Sequence, residues 1–155
     1  MLPSIGELWD IEQIKQLKAR YFRFLDTKDW TAYRTCFTDD FCSYAGDASE
    51  PIASSGDAFV ALAERLFPKG GTLTVHQGQM PEIELTGERT ATGIWSMSSS
   101  SGAAGTAMPP LRGGSYYFEI YEKGTDNRWR IKANRIYPQG SAMPAAPVFT
   151  TSTGT

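Results

Sequence analysis

The apolar positions of the chain change their period about halfway along it. Ile11, Ile14, Leu17, Tyr21, Phe24 and Leu25 recur at three- and four-residue steps, which places them on one stripe of a helix. Asp10 is the expected cap at the start of that helix, and the pattern gives out at Asp26-Thr-Lys-Asp. Asp29 then caps a short second helix carrying Trp30, Tyr33 and Phe37, and the run from Phe37 to Tyr44 reads as a turn leading into a strand. A third helix is expected from Gly56 or Asp57 to Leu66, with Phe59, Leu62, Ala63 and Leu66 on one side. Pro68 and Gly70-Gly71 stop it.

Beyond Gly71 the period shortens. Thr72–Gln79 is β-branched and polar, and Glu82–Leu85 is a short segment ending at Thr86-Gly87. Thr90–Ser100 alternates Ala91, Gly93, Trp95 and Met97 against Thr92, Ile94 and Ser96. Ser115–Lys123 is aromatic-rich, Gly124-Thr-Asp-Asn is a hairpin turn, and Arg128–Pro138 forms the last strand. Three N-terminal helices followed by four or five antiparallel strands define the α+β class. Ser101–Gly114, with Pro109-Pro110, reads as a long loop. Gly140–Thr155 is rich in Ala, Pro, Ser and Thr and reads as a tail, so residues 1–139 form one domain and 140–155 lie outside it.

Composition narrows the function classes. The 155 residues suit one domain, and 41% hydrophobic with 21% charged residues is ordinary for a globular protein. A formal net charge of −2 gives no electrostatic reason to bind nucleic acid or an acidic membrane. No stretch approaches the ~18 apolar residues of a membrane span. The N-terminus has neither a basic n-region nor an apolar h-region, so a cytoplasmic location is expected. The spacing of Cys36 and Cys42 is neither that of a zinc site nor that of a redox pair. With one histidine in the chain no metal site is expected, and the two thiols read as small buried hydrophobes in a reducing cytosol.

That one histidine, His76, is the first candidate for acid–base chemistry, because imidazole exchanges protons near neutrality. Asp26, at the end of the first helix, faces the negative end of the helix dipole and needs a compensating partner or water. A histidine is such a partner: an aspartate accepting from one ring nitrogen fixes the tautomer and raises the basicity of the other. In the last strand a period of two puts Trp129, Ile131, Ala133 and Arg135 on the core face. An inward Arg135 needs an anion or acceptor, either a carboxylate, phosphate, leaving group or enolate oxygen of a substrate, or an acid such as Glu119. Tyr21 and Tyr44 are candidate hydroxyl donors. Phe24, Trp95, Met97, Tyr117 and Trp129 supply surface for a flat apolar substrate, and would equally make an ordinary core.

The run Ile14-Lys-Gln-Leu-Lys-Ala-Arg-Tyr-Phe-Arg-Phe-Leu-Asp, followed by Asp29-Trp-Thr-Ala-Tyr-Arg-Thr-Cys-Phe-Thr-Asp-Asp-Phe, resembles the opening of SnoaL-like proteins of the NTF2-like superfamily. Thr74-Val-His-Gln and Arg128-Trp-Arg-Ile-Lys-Ala-Asn-Arg-Ile extend the resemblance over residues 7–138. It is nearest to the branch of scytalone dehydratase, bile acid 7-alpha-dehydratase and hexachlorocyclohexane dehydrochlorinase. The resemblance implies a cone of helices on a curved antiparallel sheet, assembled as a homotrimer. It also implies elimination chemistry without a cofactor on a small hydrophobic cyclic substrate such as a steroid or polyketide. The family's catalytic Asp–His dyad falls on Asp26 and His76, its tyrosines on Tyr21 and Tyr44, and its last-strand arginine on Arg135. Two departures matter. The middle strand, Trp95-Ser-Met-Ser-Ser-Ser, offers only serines where some dehydratases carry another polar or acidic group. Near Tyr44-Ala45 there is no carboxylate of the ketosteroid isomerase kind. A polyketide cyclase or isomerase using the same dyad, or a ligand-binding module without catalysis, remain the alternatives.

Overall fold

The computed structural model describes residues 1–103, 105–107 and 113–145. Part of the expected 101–114 loop and the end of the expected tail therefore lie outside the described residues. Helix α1 spans Ile5–Thr27, α2 Trp30–Arg34 and α3 Gly56–Leu66. Strand β1 spans Phe37–Ala45, β2 Thr72–Gly87, β3 Thr90–Ala103, β4 Gly114–Lys123 and β5 Trp129–Pro138. They form one sheet in the order β1-β5-β4-β3-β2. Among the described residues no helix is long and apolar enough to cross a membrane.

The local chemistry explains the helix ends. Helix α1 starts earlier than Asp10 because Ser4 and Glu7 close a capping box, each side chain accepting from the other's backbone N–H. Asp10 lies inside the helix and pairs instead with Lys123 Nζ at 2.6 Å and Trp129 Nε1 at 2.9 Å. Asp29 caps α2 through Ala32 N–H, as expected, and Ser55 caps α3 through Ala58 N–H. Phe37 opens β1 rather than closing α2.

The sheet differs from the expected pattern in three places. β1 runs parallel to β5, so the sheet is not wholly antiparallel. The two segments expected at 72–79 and 82–85 are one long strand, β2, kinked where Met80 (φ 46°) and Pro81 interrupt the register with β3. β5 carries an extra residue: Ala133 pairs with Ile120 but Ile131 pairs with Tyr121, so Lys132 bulges. A one-residue slip moves every following side chain to the other face. Trp129 and Ile131 point into the core, while Arg135 comes out on the opposite face, beside Phe118 and Tyr137.

Helix α1 lies against the concave face of this sheet. Ile14, Leu17, Tyr21 and Leu25 are buried, as the stripe requires, and Lys18 and Phe22 are buried with them. Tyr33, Phe37, Phe41 and Phe59 add an aromatic cluster from α2, β1 and α3. The inward positions Ala91, Trp95, Met97, Tyr117, Tyr121 and Ile131 complete the core.

Candidate active site

The last turn of α1 delivers Asp26 to β2. Asp26 Oδ1 accepts from His76 Nδ1 at 2.6 Å and from Thr74 Oγ1 at 2.9 Å, and Oδ2 accepts from the His76 backbone N–H at 2.9 Å. Thr74 and His76 lie two residues apart on one strand, so both reach the same carboxylate. These donors answer the unfavourable position of an anion at a helix C-terminus, where the last turn of α1 supplies no basic residue. A carboxylate only accepts, so the hydrogen-bond chain assigns the ring proton to Nδ1 and leaves Nε2 as the basic nitrogen.

Aromatic packing holds the imidazole. Phe22 stacks on it with ring centroids 5.9 Å apart and planes 5° from parallel, and Phe67 meets it edge-on at 6.2 Å. The stack needs Gly78, because a Cβ there would lie 2.6 Å from Phe22 Cε2. The His76 side chain is 10% exposed and Asp26 22%. Both line a cavity of about 620 Å³ between α1 and the β2–β3 ribbon. Phe22, Ala19, Pro81 and Trp95 give it apolar walls, and α1 adds Lys15, Lys18 and Arg23.

The structure thus brings together Asp26, His76 and Trp95 and distributes the other candidates elsewhere. Tyr21 is 2% exposed and surrounded by Phe22, Tyr33, Phe37 and Tyr117 rings, and burial pushes its phenol well above the ordinary value. Met97 and Tyr117 are core residues, and Phe24 packs half-buried against the core. Trp129 lines a separate cavity of about 290 Å³ near Trp9 and Arg20. Arg135, expected to face inward, instead donates to Gly46 O at 2.8 Å and Ala48 O at 2.9 Å and stacks on Tyr44. The bulge at Lys132 is the reason, and Tyr44, which pairs with Arg135 on β1, lies with it outside the lining of the dyad's cavity.

Several cavity residues escaped the reading of the sequence. Phe22 and Lys18 lie off the apolar stripe as first drawn. The spacing Lys15, Ala19, Phe22, Asp26, with steps of four, three and four, marks the helix face of Phe22, and Lys18 lies one turn before Phe22 beside it. Lys18 Nζ donates to Glu119 Oε1 at 2.6 Å while 1% exposed, and lies 3.9 Å above the Tyr117 ring. Burial pushes its ammonium below the ordinary value against the pull of Glu119. Among the described residues no cluster of His, Cys, Asp and Glu is arranged to hold a metal ion.

Three helices packed on a curved five-stranded sheet are the architecture of the NTF2-like superfamily. Within it the chain belongs to the SnoaL-like family, whose domain model matches residues 6–135. Solved structures share the fold at low identity. A putative scytalone dehydratase from Novosphingobium aromaticivorans is 16% identical with a TM-score of 0.72, covering 94% of this chain and 97% of that one. A type 2 hexachlorocyclohexane dehydrochlorinase, LinA, is 16% identical with a TM-score of 0.71, covering 95% and 97%. ActVI-ORFA from Streptomyces coelicolor is 13% identical with a TM-score of 0.73, covering 84% and 98%.

Proposed function

We propose that this chain is a cofactor-independent lyase of the dehydratase type, acting on a hydrophobic cyclic substrate such as a steroid or polyketide. The observation that carries the reading is the 2.6 Å contact between Asp26 Oδ1 and His76 Nδ1 at the wall of an apolar-sided cavity. His76 Nε2 takes the proton from a carbon next to a carbonyl. The C–H electron pair becomes the new double bond as the hydroxyl leaves from the neighbouring carbon. The imidazolium, held against the Asp26 carboxylate, returns its proton to the departing oxygen, so the products are an unsaturated ketone and water. One histidine serving as base and then acid suits a middle strand that offers only serines. Phe22 and Trp95 hold the ring of the substrate flat against the wall. A homotrimer, read by light scattering, belongs to the same proposal.

The test is mass spectrometry of cyclic hydroxy-ketones incubated with wild type and with His76→Ala. The wild type yields a product lighter by one water, and the variant loses about 10²–10⁴-fold in turnover. Undiminished turnover by His76→Ala would refute the mechanism. A product of unchanged mass would move the chain to the cyclase or isomerase kind.

A further inference from the structure

We propose that Lys28 is a positioning residue for the dyad, whose charge, carried to Asp26 through Thr74, opposes the pull of that carboxylate on the His76 ring. The inference rests on the proposed role of His76 as base for its functional meaning, and on the geometry alone for its physical effect.

Lys28 occupies the C-cap of α1 with φ 58° and ψ 33°, the left-handed region. Its backbone N–H closes the helix on Leu25 O and Phe24 O. Any residue can supply that N–H, and Gly or Asn supplies it without the strain of a Cβ. A lysine at such a position, 7% exposed, therefore needs a reason that lies in its side chain. The side chain turns back toward β2, where Nζ donates to Thr74 Oγ1 at 2.6 Å. An ammonium only donates, so the Thr74 hydroxyl must spend its own proton on Asp26 Oδ1, at 2.9 Å. The chain of donors thus runs from Lys28 through Thr74 to Asp26, where it meets His76 Nδ1–H arriving from the other side.

The charges matter more than the bonds. A carboxylate bonded to one ring nitrogen favours the imidazolium over the neutral ring, and a cation beside that carboxylate weakens the preference. Lys28 lies one hydroxyl beyond the carboxylate and offsets that stabilisation. Burial pushes the Lys28 ammonium below its ordinary value, and the Asp26 carboxylate opposes that shift only in part. The other charged groups near His76 are Lys15, Lys18 and Arg23 of α1, with Glu119 of β4 paired to Lys18. β3 sets uncharged Ser99 opposite His76, and Phe67 closes the far side of the ring. The substitutions below leave all of these in place.

Because His76 is the sole histidine, its ring protons give one pair of proton NMR resonances, and their pH titration needs no substrate. Lys28→Gln removes the charge but keeps a donor for Thr74, and Lys28→Arg keeps the charge. The titration midpoint should rise by about half a pH unit or more in Lys28→Gln and stay near wild type in Lys28→Arg. Lys28→Met, which removes both charge and donor, is read in the same way and should also rise. A midpoint that is unchanged or lower in Lys28→Gln and Lys28→Met would show that Lys28 only closes the helix. An equal rise in Lys28→Arg would show that charge is not the cause. Failure of the lyase reading shows instead as turnover by His76→Ala, which this titration does not measure.

Discussion

Among its contacts with the sheet, helix α1 makes a Lys18–Glu119 ion pair and an Asp26–His76 hydrogen bond, and these two have opposite surroundings. Lys18–Glu119 has side chains 1% and 0% exposed although Lys18 borders the cavity; Glu119 accepts from the Tyr121 hydroxyl, and the Tyr21 and Tyr117 rings flank the ammonium. Asp26–His76 is 22% and 10% exposed at a cavity wall. The two share one aromatic ring: Phe22 stacks on His76 and lies 4.8 Å beneath Lys18 Nζ. A charge pair whose members are bonded to each other and shut from solvent holds the fold. A pair of similar contact length beside a cavity can exchange protons with a guest. Access, rather than the strength of the contact, separates the two roles.

The largest stability effect that follows is on the sealed pair. Lys18→Met leaves a buried carboxylate with no cation and should cost about 3–5 kcal/mol. Adding Glu119→Gln should recover most of that loss, because the neutral amide can still accept from the Tyr121 hydroxyl. Urea unfolding of the single and double variants measures both. Equal losses in the two would mean that the pair contributes by packing and not by charge.

Arg135 comes next in size and separates scaffold from site. It is 4% exposed, donates to two loop carbonyls and stacks on Tyr44. Arg135→Met should cost about 2–3 kcal/mol, since hydrogen bonds from a charged donor are lost along with the anchor of the Gly46–Ala48 turn. Turnover of a cyclic hydroxy-ketone, where wild type shows it, should fall less than about tenfold. A greater fall would return Arg135 to the site.

The legibility of the chain follows the same division. The apolar stripe of α1, the cap Asp29, and the alternation of Ala91, Gly93, Trp95 and Met97 are local patterns that tertiary packing left intact. Arg135 departs from its expected face because a period of two assumes an unbroken ladder, and the bulge at Lys132 leaves no mark in composition. The parallel pairing of β1 with β5 joins residues nearly a hundred positions apart, beyond any local window. Asp26 and His76 could be named singly, but their contact depends on the length of α1 and the register of β2. Lys18 and Lys28 carry no signal in the sequence, because a lysine reads as solvated until its partners are known.

Gly78 lies between the two regions, and a methyl there tests whether they are coupled. Its Cβ would sit 2.6 Å from Phe22 Cε2 and 3.4 Å from Trp95 Cε3, so the Phe22 ring has to move. Gly78→Ala should cost about 1–3 kcal/mol by overpacking. It should also shift the His76 ring-proton resonances, which lie under the Phe22 ring current. A stability loss with unmoved resonances would mean that the strain is absorbed toward Trp95 and that the stack survives.

The smallest effect is on the thiols, and it reads the sealed region directly. Cys36 is 1% exposed within the core, while Cys42 is half-buried on β1 and both are free. Burial pushes the Cys36 thiol from 9.0 up to about 12, with only partial opposition from Arg20 and Lys18. The thiolate is the reactive form, so at pH 8 Cys36 presents about a thousandfold less of it than an ordinary cysteine. An aromatic disulfide reagent should therefore release one equivalent from the native protein, through Cys42, and the second only on unfolding. In Lys18→Met the sealed core is weakened beside Cys36, and the second equivalent should appear faster in step with the loss of stability. Prompt release of both equivalents from the wild type would show that the core around Lys18 and Glu119 opens without global unfolding, and the contrast between a closed pair and an accessible one would fail there first.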